Sequence, residues 1–347
     1  MPLKKLLLKP GVNRENTRYT NEGGWYDCDK IRFRQGTPEK IGGWSQFSSV
    51  SFLGSCRSLI NWVTLNALNL IGVGTNLKYY IELGTAFYDI TPIRLTTAAG
   101  DVTFTATSGS TSIVVTDTAH GAITNDFVTF SDAASLGGVI TAAVLNKEYQ
   151  VTGIVDANNY IVASAVAANA SDTGNGGAAT VGEYQINTGP AIQAAQTGWG
   201  ASFWGFGPWG LGQSAIDELR IWNHSNFGED LIFGPRGGGI YYWDATAGTT
   251  VRGVPLSSLV GASDVPTLQN NFLVSDVSRF VLCFGVNGLG SGTMDPMLVR
   301  WSDQEDPANW TPAITNQAGD LRLSIGSQIV TARQTRQEIL VWTDSAL

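Results

Sequence analysis

The sequence predicts a mostly β protein: a β-propeller-like repeat scaffold with an inserted small all-β domain and an extended N-terminal arm. Gly occurs 41 times and Trp 11 times, whereas charged residues make up only 14% of the chain. This balance is typical of many short strands joined by tight turns. No segment keeps a helical hydrophobic period for more than about three turns, so helices are expected to be few.

The repeat is predicted from one kind of segment that recurs along the chain. DLIFGPRGGGIYYWD, residues 230–244, has two apolar runs around a Gly-Pro-rich turn and is predicted to be a β-hairpin. LIGVGTNLKYYIEL, FVLCFGVNG and EILVWTDSAL are similar. With Gly74, Gly234, Gly285 and Thr343 as equivalent positions, the last two intervals are roughly 50 to 60 residues, as in propeller blades. EILVWT is predicted to be the first strand of a further blade, so the scaffold is expected to be incomplete there.

The interval between Gly74 and Gly234 is too long because it contains a different kind of sequence. Residues 95–183 hold eight acidic residues against Lys147 alone, and no Trp, Cys or Arg. The runs VTFTAT, SIVVTD, DFVTFSD, YQVTGI and NYIVAS, separated by turn signals, predict an independent acidic β-domain. We therefore divide the chain into an N-terminal arm and β-hairpin (1–43), the scaffold (44–94 and 184–347) and the insert (95–183).

A Gly-rich aromatic loop covers residues 197–213, TGWGASFWGFGPWGLGQ. It formally contains GxGxxG, but Trp and Pro occupy the turn, and the flanking strand and helix of a dinucleotide site are missing. Two interpretations remain: the rings pack on the protein's own core or a neighbouring subunit, or the loop is a gate or interface that faces a lumen or partner. The five aromatic residues are Trp199, Phe203, Trp204, Phe206 and Trp209.

Residues for catalysis are scarce. Only His120 and His224 are present, so a histidine-based catalytic triad or a multi-histidine metal site is not expected. The motifs HExxH, GxxxxGK[ST] and GxSxG do not occur. Cys28, Cys56 and Cys283 are widely spaced and are expected to be reduced structural thiols. The sequence thus predicts a protein that is not an enzyme and has no cofactor, no metal site and no catalytic residues.

One acidic and aromatic cluster offers an alternative. RWSDQEDPANWTP, residues 300–312, brings Trp301 and Trp310 close in sequence to Asp303 and Glu305, a combination that suits sugar binding or a two-carboxylate glycosidase. The segment also fits a solvated or interface loop between blades.

The charge pattern limits the partners. With a net charge of −8, the chain is not expected to grip phosphate backbones. In KIRFR, residues 30–34, alternation places the basic residues on one strand face and Ile31 and Phe33 on the other. No apolar stretch is long enough to span a membrane, and MPLKKLLLKPG is too short for a secretion signal.

Three blocks carry a resemblance. GVNRENTRYTNEGGWYDCDKIRFRQGTPEKIGGW (11–44), LRIWNHSNFGEDLIFGPRGGGIYYWD (219–244) and WSDQEDPANWTP (301–312) resemble the packaged-DNA stabilisation or tail nozzle proteins of short-tailed bacteriophages. Within the insert, HGAITNDFVTFSD and LNKEYQVTGIVDANNYIVAS are similar to a small β-domain that recurs in phage structural proteins.

The resemblance implies a virion protein that is assembled in the host cytoplasm and forms a hexameric ring below the portal. The ring would close the DNA channel, retain the packaged genome and conduct it at ejection. Implied partners are the portal-adaptor protein, tail fibre or spike proteins, and double-stranded DNA that passes through without sequence-specific binding. The alternatives are a carbohydrate- or receptor-binding propeller and a glycosidase.

Overall fold

Strands dominate the structure. The structure, a computed structural model, describes residues 9–15, 17–43, 45–187 and 221–346. Contacts divide the chain into two units, Met1–Ser49 and Val50–Leu347. The described residues form 24 strands and one α-helix of four residues, α1 (Ala142–Leu145), with two short 3-10 turns. The predicted mostly-β class is confirmed.

The first unit contains a tight β-hairpin. Its antiparallel strands are β1 (Ile31–Arg34) and β2 (Thr37–Lys40). Gln35 and Gly36 between them both have positive φ, 48° and 82°, as a two-residue type I′ turn requires. Ile31 and Phe33 are half-buried while the arginines between and after them are exposed, which confirms the predicted alternation.

The second unit starts with a four-stranded antiparallel sheet whose strands are neighbours in chain order. The second strand is buried along nearly its whole length. A strand covered on both faces needs apolar side chains at every position rather than at alternate ones, which is why this segment reads as a continuous apolar run. The strands are β3 (Cys56–Val63), β4 (Asn69–Thr75), β5 (Tyr79–Leu83) and β6 (Ala86–Asp89).

The next eight strands form one sheet, in the spatial order β13-β8-β9-β12-β11-β10-β14-β7. All buried residues of its core come from positions 102–184, among them Phe104, Phe130 and Tyr160. The five strands predicted for this segment are all present. The bounds are β7 (Ile93–Thr96), β8 (Thr103–Ala106), β9 (Ser112–Thr116), β10 (Phe127–Ser131), β11 (Glu148–Asp156), β12 (Asn159–Ala163), β13 (Asp172–Asn175) and β14 (Val181–Gln185).

Two more four-stranded antiparallel meanders and a strand pair follow. The hairpin predicted in residues 230–244 is confirmed as the second and third strands of the first meander. The strands are β15 (Trp222–Phe227), β16 (Asp230–Pro235), β17 (Tyr241–Trp243), β18 (Val254–Pro255), β19 (Gln269–Val274), β20 (Val281–Asn287), β21 (Met294–Trp301), β22 (Gly319–Arg322), β23 (Ile329–Gln334) and β24 (Ile339–Thr343).

Consecutive scaffold sheets share hydrophobic cores. Trp62 and Tyr79 of the β3–β6 sheet pack with Phe233 of the β15–β18 sheet. The β15–β18 and β19–β22 sheets share a second core, and the β19–β22 sheet shares a third with Ile329 and Ala332 of β23. The scaffold is therefore a series of blade-like sheets packed in chain order; within the described ranges they close into neither a barrel nor a propeller.

One strand prediction is wrong in its position within the repeat. EILVWT was expected to start a new blade, but β24 is the second strand of its sheet and pairs with β23. The strand β23, with the sequence IVTARQ, is buried only at Ile329 and Ala332 and lacks the continuous apolar run that marks the second strands. Gly74, Gly234, Gly285 and Thr343 consequently lie at the same place, near the end of the second strand of each sheet.

Candidate functional site

The first strands of the four scaffold sheets converge on one cavity. β15 contacts β3 and β19, and β19 contacts β23. The cavity that they border has a volume of about 380 Å³. Its lining contains three arginines and many neutral polar side chains. The lining residues are Arg57, Ser58, Leu59, Ile221, Trp222, Asn223, His224, Arg236, Asn270, Asn271, Phe272, Val330, Thr331 and Arg333.

Side-chain hydrogen bonds hold the strands around this cavity together. The Asn223 amide on β15 donates to Gln269 Oε1 and to the Asn270 carbonyl on β19, both at 3.0 Å. The Asn271 amide donates to Thr331 Oγ1 on β23 at 3.3 Å. Since each bond joins two neighbouring sheets, the cavity wall is fixed by polar contacts in addition to the shared cores.

His224 lies in the wall as a neutral side chain. Its Nδ1 is 2.8 Å from the buried Tyr79 hydroxyl. Burial is the main cause that lowers the pKa of His224 to about 4, and Arg333 lowers it further by a smaller amount. A hydrogen bond with the Leu59 backbone acts in the opposite direction. The imidazole is therefore uncharged at neutral pH and serves as a bridge between the first two scaffold sheets.

The positive charge of the cavity comes from Arg57, Arg236 and Arg333. Burial lowers the pKa of Arg57, yet an arginine stays charged at neutral pH. None of the described lining residues is acidic. A chain with a net charge of −8 thus places three arginines around one cavity where its scaffold strands converge.

A second charged cluster joins the eight-stranded sheet to the scaffold, and we call it the junction cluster: Lys78, Asp89, Glu148 and Arg252. Lys78 Nζ lies 2.8 Å from Asp89 Oδ2 and 2.6 Å from Glu148 Oε1, and its side chain is only 4% exposed. Arg252 lies 3.2 Å from Asp89 and 3.7 Å from Glu148. The two positive and two negative charges compensate one another.

Neighbouring groups complete the junction cluster. Gln185 on β14 donates to Glu148 Oε2 at 2.6 Å, and Lys78 Nζ lies 4.4 Å from the centre of the Phe127 ring. Burial opposes the ionisation of Asp89, but Arg252 and Lys78 outweigh it and lower the pKa of Asp89. The cluster therefore connects strands β5 and β6 of the scaffold region with β10, β11 and β14 of the eight-stranded sheet through ionised groups.

The predicted sugar-binding residues do not form one open face. Trp310 is 1% exposed and donates from Nε1 to the Pro307 carbonyl at 2.7 Å. Trp301 is half-buried and donates to the Gln317 carbonyl at 2.7 Å. Asp303 Oδ1 accepts from the backbone N–H of Gln317 at 2.9 Å, whereas Glu305 is exposed. These contacts stabilise the connection between β21 and β22.

The predicted gate or interface loop lies outside the described residues. This applies to Trp199, Phe203, Trp204, Phe206 and Trp209. Among the residues that the structure does describe, no group of three His, Cys, Asp or Glu side chains is arranged to hold a metal ion. The described helix and turns include none with the length and apolarity needed to cross a membrane.

Sequence reasoning missed both charged sites. Arg57, Arg236 and Arg333 are far apart in the chain and follow no motif, so only the convergence of three sheets brings them together. The junction cluster could have been suspected from Lys78, a charged residue that directly precedes the aromatic strand β5. A lone lysine at the start of a buried strand indicates a compensating carboxylate.

Of the comparisons with known proteins, the one with solved structures finds a similarity. No protein-family model matches the sequence, and no curated protein matches it. Among solved structures, the chain is similar to "Phage phi92 endosialidase", with 12% sequence identity and a TM-score of 0.25. The match covers 88% of this chain, which spans 43% of the length of that structure. At this TM-score the similarity supports no statement about the fold or function of the present chain.

Proposed function

We propose that this protein is a structural component of a phage tail. In this proposal it forms a hexameric ring below the portal and adaptor, closes the DNA channel, retains the packaged genome and conducts it at ejection. Its action is mechanical and involves no chemical step. The resemblance of residues 11–44, 219–244 and 301–312 to tail nozzle proteins supplies the specific assignment.

The junction cluster is the observation that carries the structural part of the proposal. A ring subunit must keep its parts in register while neighbouring proteins and DNA load it. Lys78, nearly fully buried, bonds both to Asp89 of the scaffold and to Glu148 of the eight-stranded sheet. Separation of the two sheets would remove Glu148 from both Lys78 and Arg252 and leave these two cations with one carboxylate, Asp89. Because Lys78 is buried, such a loss of charge compensation is costly.

The charge of the chain suits passage of DNA. Each phosphate that a protein neutralises adds salt-dependent affinity, and such affinity would retain DNA that has to leave quickly. The net charge of −8, with 21 basic and 29 acidic residues, opposes such retention. We expect no binding of linear duplex DNA at physiological salt, measured by fluorescence anisotropy.

Native mass spectrometry tests the proposed ring. The intact chain is measured alone and after mixing with purified portal-adaptor complex. A hexameric particle, or a monomer that becomes one on the adaptor, is the expected result. A monomer whose mass is unchanged by the adaptor would contradict the proposal and favour the carbohydrate- or receptor-binding alternative.

The N-terminal arm is proposed to dock on the adaptor or on a neighbouring subunit. Its sequence before residue 24 is polar, Asn-rich and without hydrophobic period, so it buries little apolar surface by itself. Deletion of residues 1–24 should prevent assembly on the adaptor while the far-UV circular dichroism of the remaining chain stays unchanged. If the deleted protein assembles like the full chain, the arm has no docking role.

A further inference from the structure

The cavity at the convergence of β3, β15, β19 and β23 collects positive charge in an acidic protein. Arg57, Arg236 and Arg333 contribute three guanidinium groups, and none of the described residues around the cavity brings a carboxylate. Arginine carries its donors in a planar fork that matches the oxygens of a carboxylate or a phosphate. The composition of the wall therefore favours an anionic ligand with two or more oxygens.

Arg333 is the group best placed for such a ligand. It lies on β23 at the rim of the cavity and is exposed. It forms no ion pair with any residue in the described part of the chain. Its charge acts on another lining residue, since it contributes to the lowered pKa of His224. An incoming oxyanion would give Arg333 its counter-ion.

The remaining wall suits a hydroxylated ligand. Ser58, Asn270 and Thr331 offer neutral donors and acceptors, and Leu59 and Val330 offer exposed apolar surface. Sites for small molecules combine such apolar surface with a few polar groups and have volumes of roughly 300 to 1,000 Å³. The volume of about 380 Å³ falls at the lower end of this range, which suits a small, sugar-sized ligand.

We propose that this cavity binds a small hydroxylated oxyanion, a carboxylate or phosphate on a sugar-sized molecule, and that Arg57, Arg236 and Arg333 provide the cationic contacts. Binding of this kind does not depend on a role in a phage tail. It would hold equally for a monomer, so its test and the test of ring assembly can fail separately.

Isothermal titration calorimetry of the full chain with three ligands tests the proposal. Glucuronate presents a carboxylate, glucose 6-phosphate presents a phosphate, and glucose lacks the charge. We expect saturable binding of at least one of the two anions and none of glucose. The anion that binds more tightly identifies the oxyanion.

Two arginine variants locate the binding. Arg333→Gln should weaken the affinity for the anion about tenfold or more, because a charge-assisted contact is lost. Arg336→Gln is the matched control: Arg336 is exposed in the turn between β23 and β24 and is not part of the cavity lining. It should leave the affinity unchanged. Arg57→Gln on another wall should weaken binding as well, and the melting temperature of each variant shows whether it remains folded.

Three results would overturn the proposal. The first is the absence of binding of both anions at millimolar concentration. The second is binding of glucose with the affinity of glucuronate, which would make the charge irrelevant. The third is an unchanged affinity in a folded Arg333→Gln variant, or an equal loss in Arg336→Gln, either of which would place the anion elsewhere.

Discussion

Replacement of Lys78 by Met should strongly destabilise the protein. Met keeps the length and much of the apolar stem of Lys but removes the ammonium group. In the folded protein this leaves the carboxylates of Asp89 and Glu148 beside each other with Arg252 as their common counter-ion. The substitution thus changes the charge balance of the junction cluster without creating a large void.

The loss of unfolding free energy in Lys78→Met can be estimated from the burial of the charged groups and the distances between them. Lys78 is 4% exposed and its partners are 20% and 31% exposed, so water screens the carboxylates only in part. Removal of one partner from a buried ion pair costs about 3–5 kcal/mol. Because Arg252 remains within 3.2 Å of Asp89, we expect the lower end, about 3 kcal/mol.

Urea unfolding followed by tryptophan fluorescence and circular dichroism measures this loss. The control is Lys147→Met, since Lys147 is exposed directly before β11 and its ammonium group lies over the Tyr149 ring. That control should change the free energy of unfolding by less than about 1 kcal/mol. An equally small effect of Lys78→Met would refute the inference that the junction cluster stabilises the joint.

The pH dependence gives a second check on the junction cluster. The pKa of Asp89 is lowered in the folded protein, so its contribution is complete above the unfolded value of about 4 and is lost as the pH falls through the folded value. The difference between wild type and Lys78→Met should therefore shrink below about pH 4. Adding Glu148→Gln to Lys78→Met should restore part of the stability at pH 7, because one uncompensated carboxylate is removed.

Three other outcomes follow from single contacts. Gly74→Ala should lower the free energy of unfolding by about 1–3 kcal/mol, because a Cβ would lie 2.5 Å from the ring of a buried tryptophan. Gly153→Ala is the control and should change the free energy of unfolding little, because there is open space around Gly153. Iodoacetamide should label exposed Cys56 in the native protein but Cys283 only after unfolding, because burial raises the pKa of the Cys283 thiol and blocks access; mass spectrometry checks the order. The free energy of unfolding should decrease as the pH falls from about 6.5 towards about 4. In this range His224 binds a proton in the unfolded chain but stays neutral in the folded protein, where burial lowers its pKa. His224→Gln should reduce this dependence of the unfolding free energy on pH, measured in urea titrations.

Most strands were predictable because their signals are local. The segment LIFGP reads as a continuous apolar run because both faces of β16 are covered. The segment TFTA alternates because only one face of β8 is fully buried. The strand β23 was missed since its sequence IVTARQ has neither a continuous apolar run nor a strict alternation. The error displaced EILVWT by one strand within the repeat.

The candidate sites were far less predictable. Trp301 and Trp310 suggested a sugar platform through their closeness in sequence, but the chain path buries one ring and satisfies the indole N–H of each with a backbone carbonyl. His224 belongs to no motif in the sequence, and its role as a neutral bridge depends on Tyr79, which lies in another sheet.

The sequence by itself determined the strand content, the repeat of apolar second strands and the acidic character of the segment between β7 and β14, because period, turn residues and charge act over a few neighbouring positions. The tertiary structure alone decided that Arg57, Arg236 and Arg333 share a cavity and that Lys78 is neutralised by Asp89 and Glu148. Residues so far apart meet only through the packing of whole sheets on shared cores, and charge interactions depend on the distance in space, which the distance along the chain does not encode.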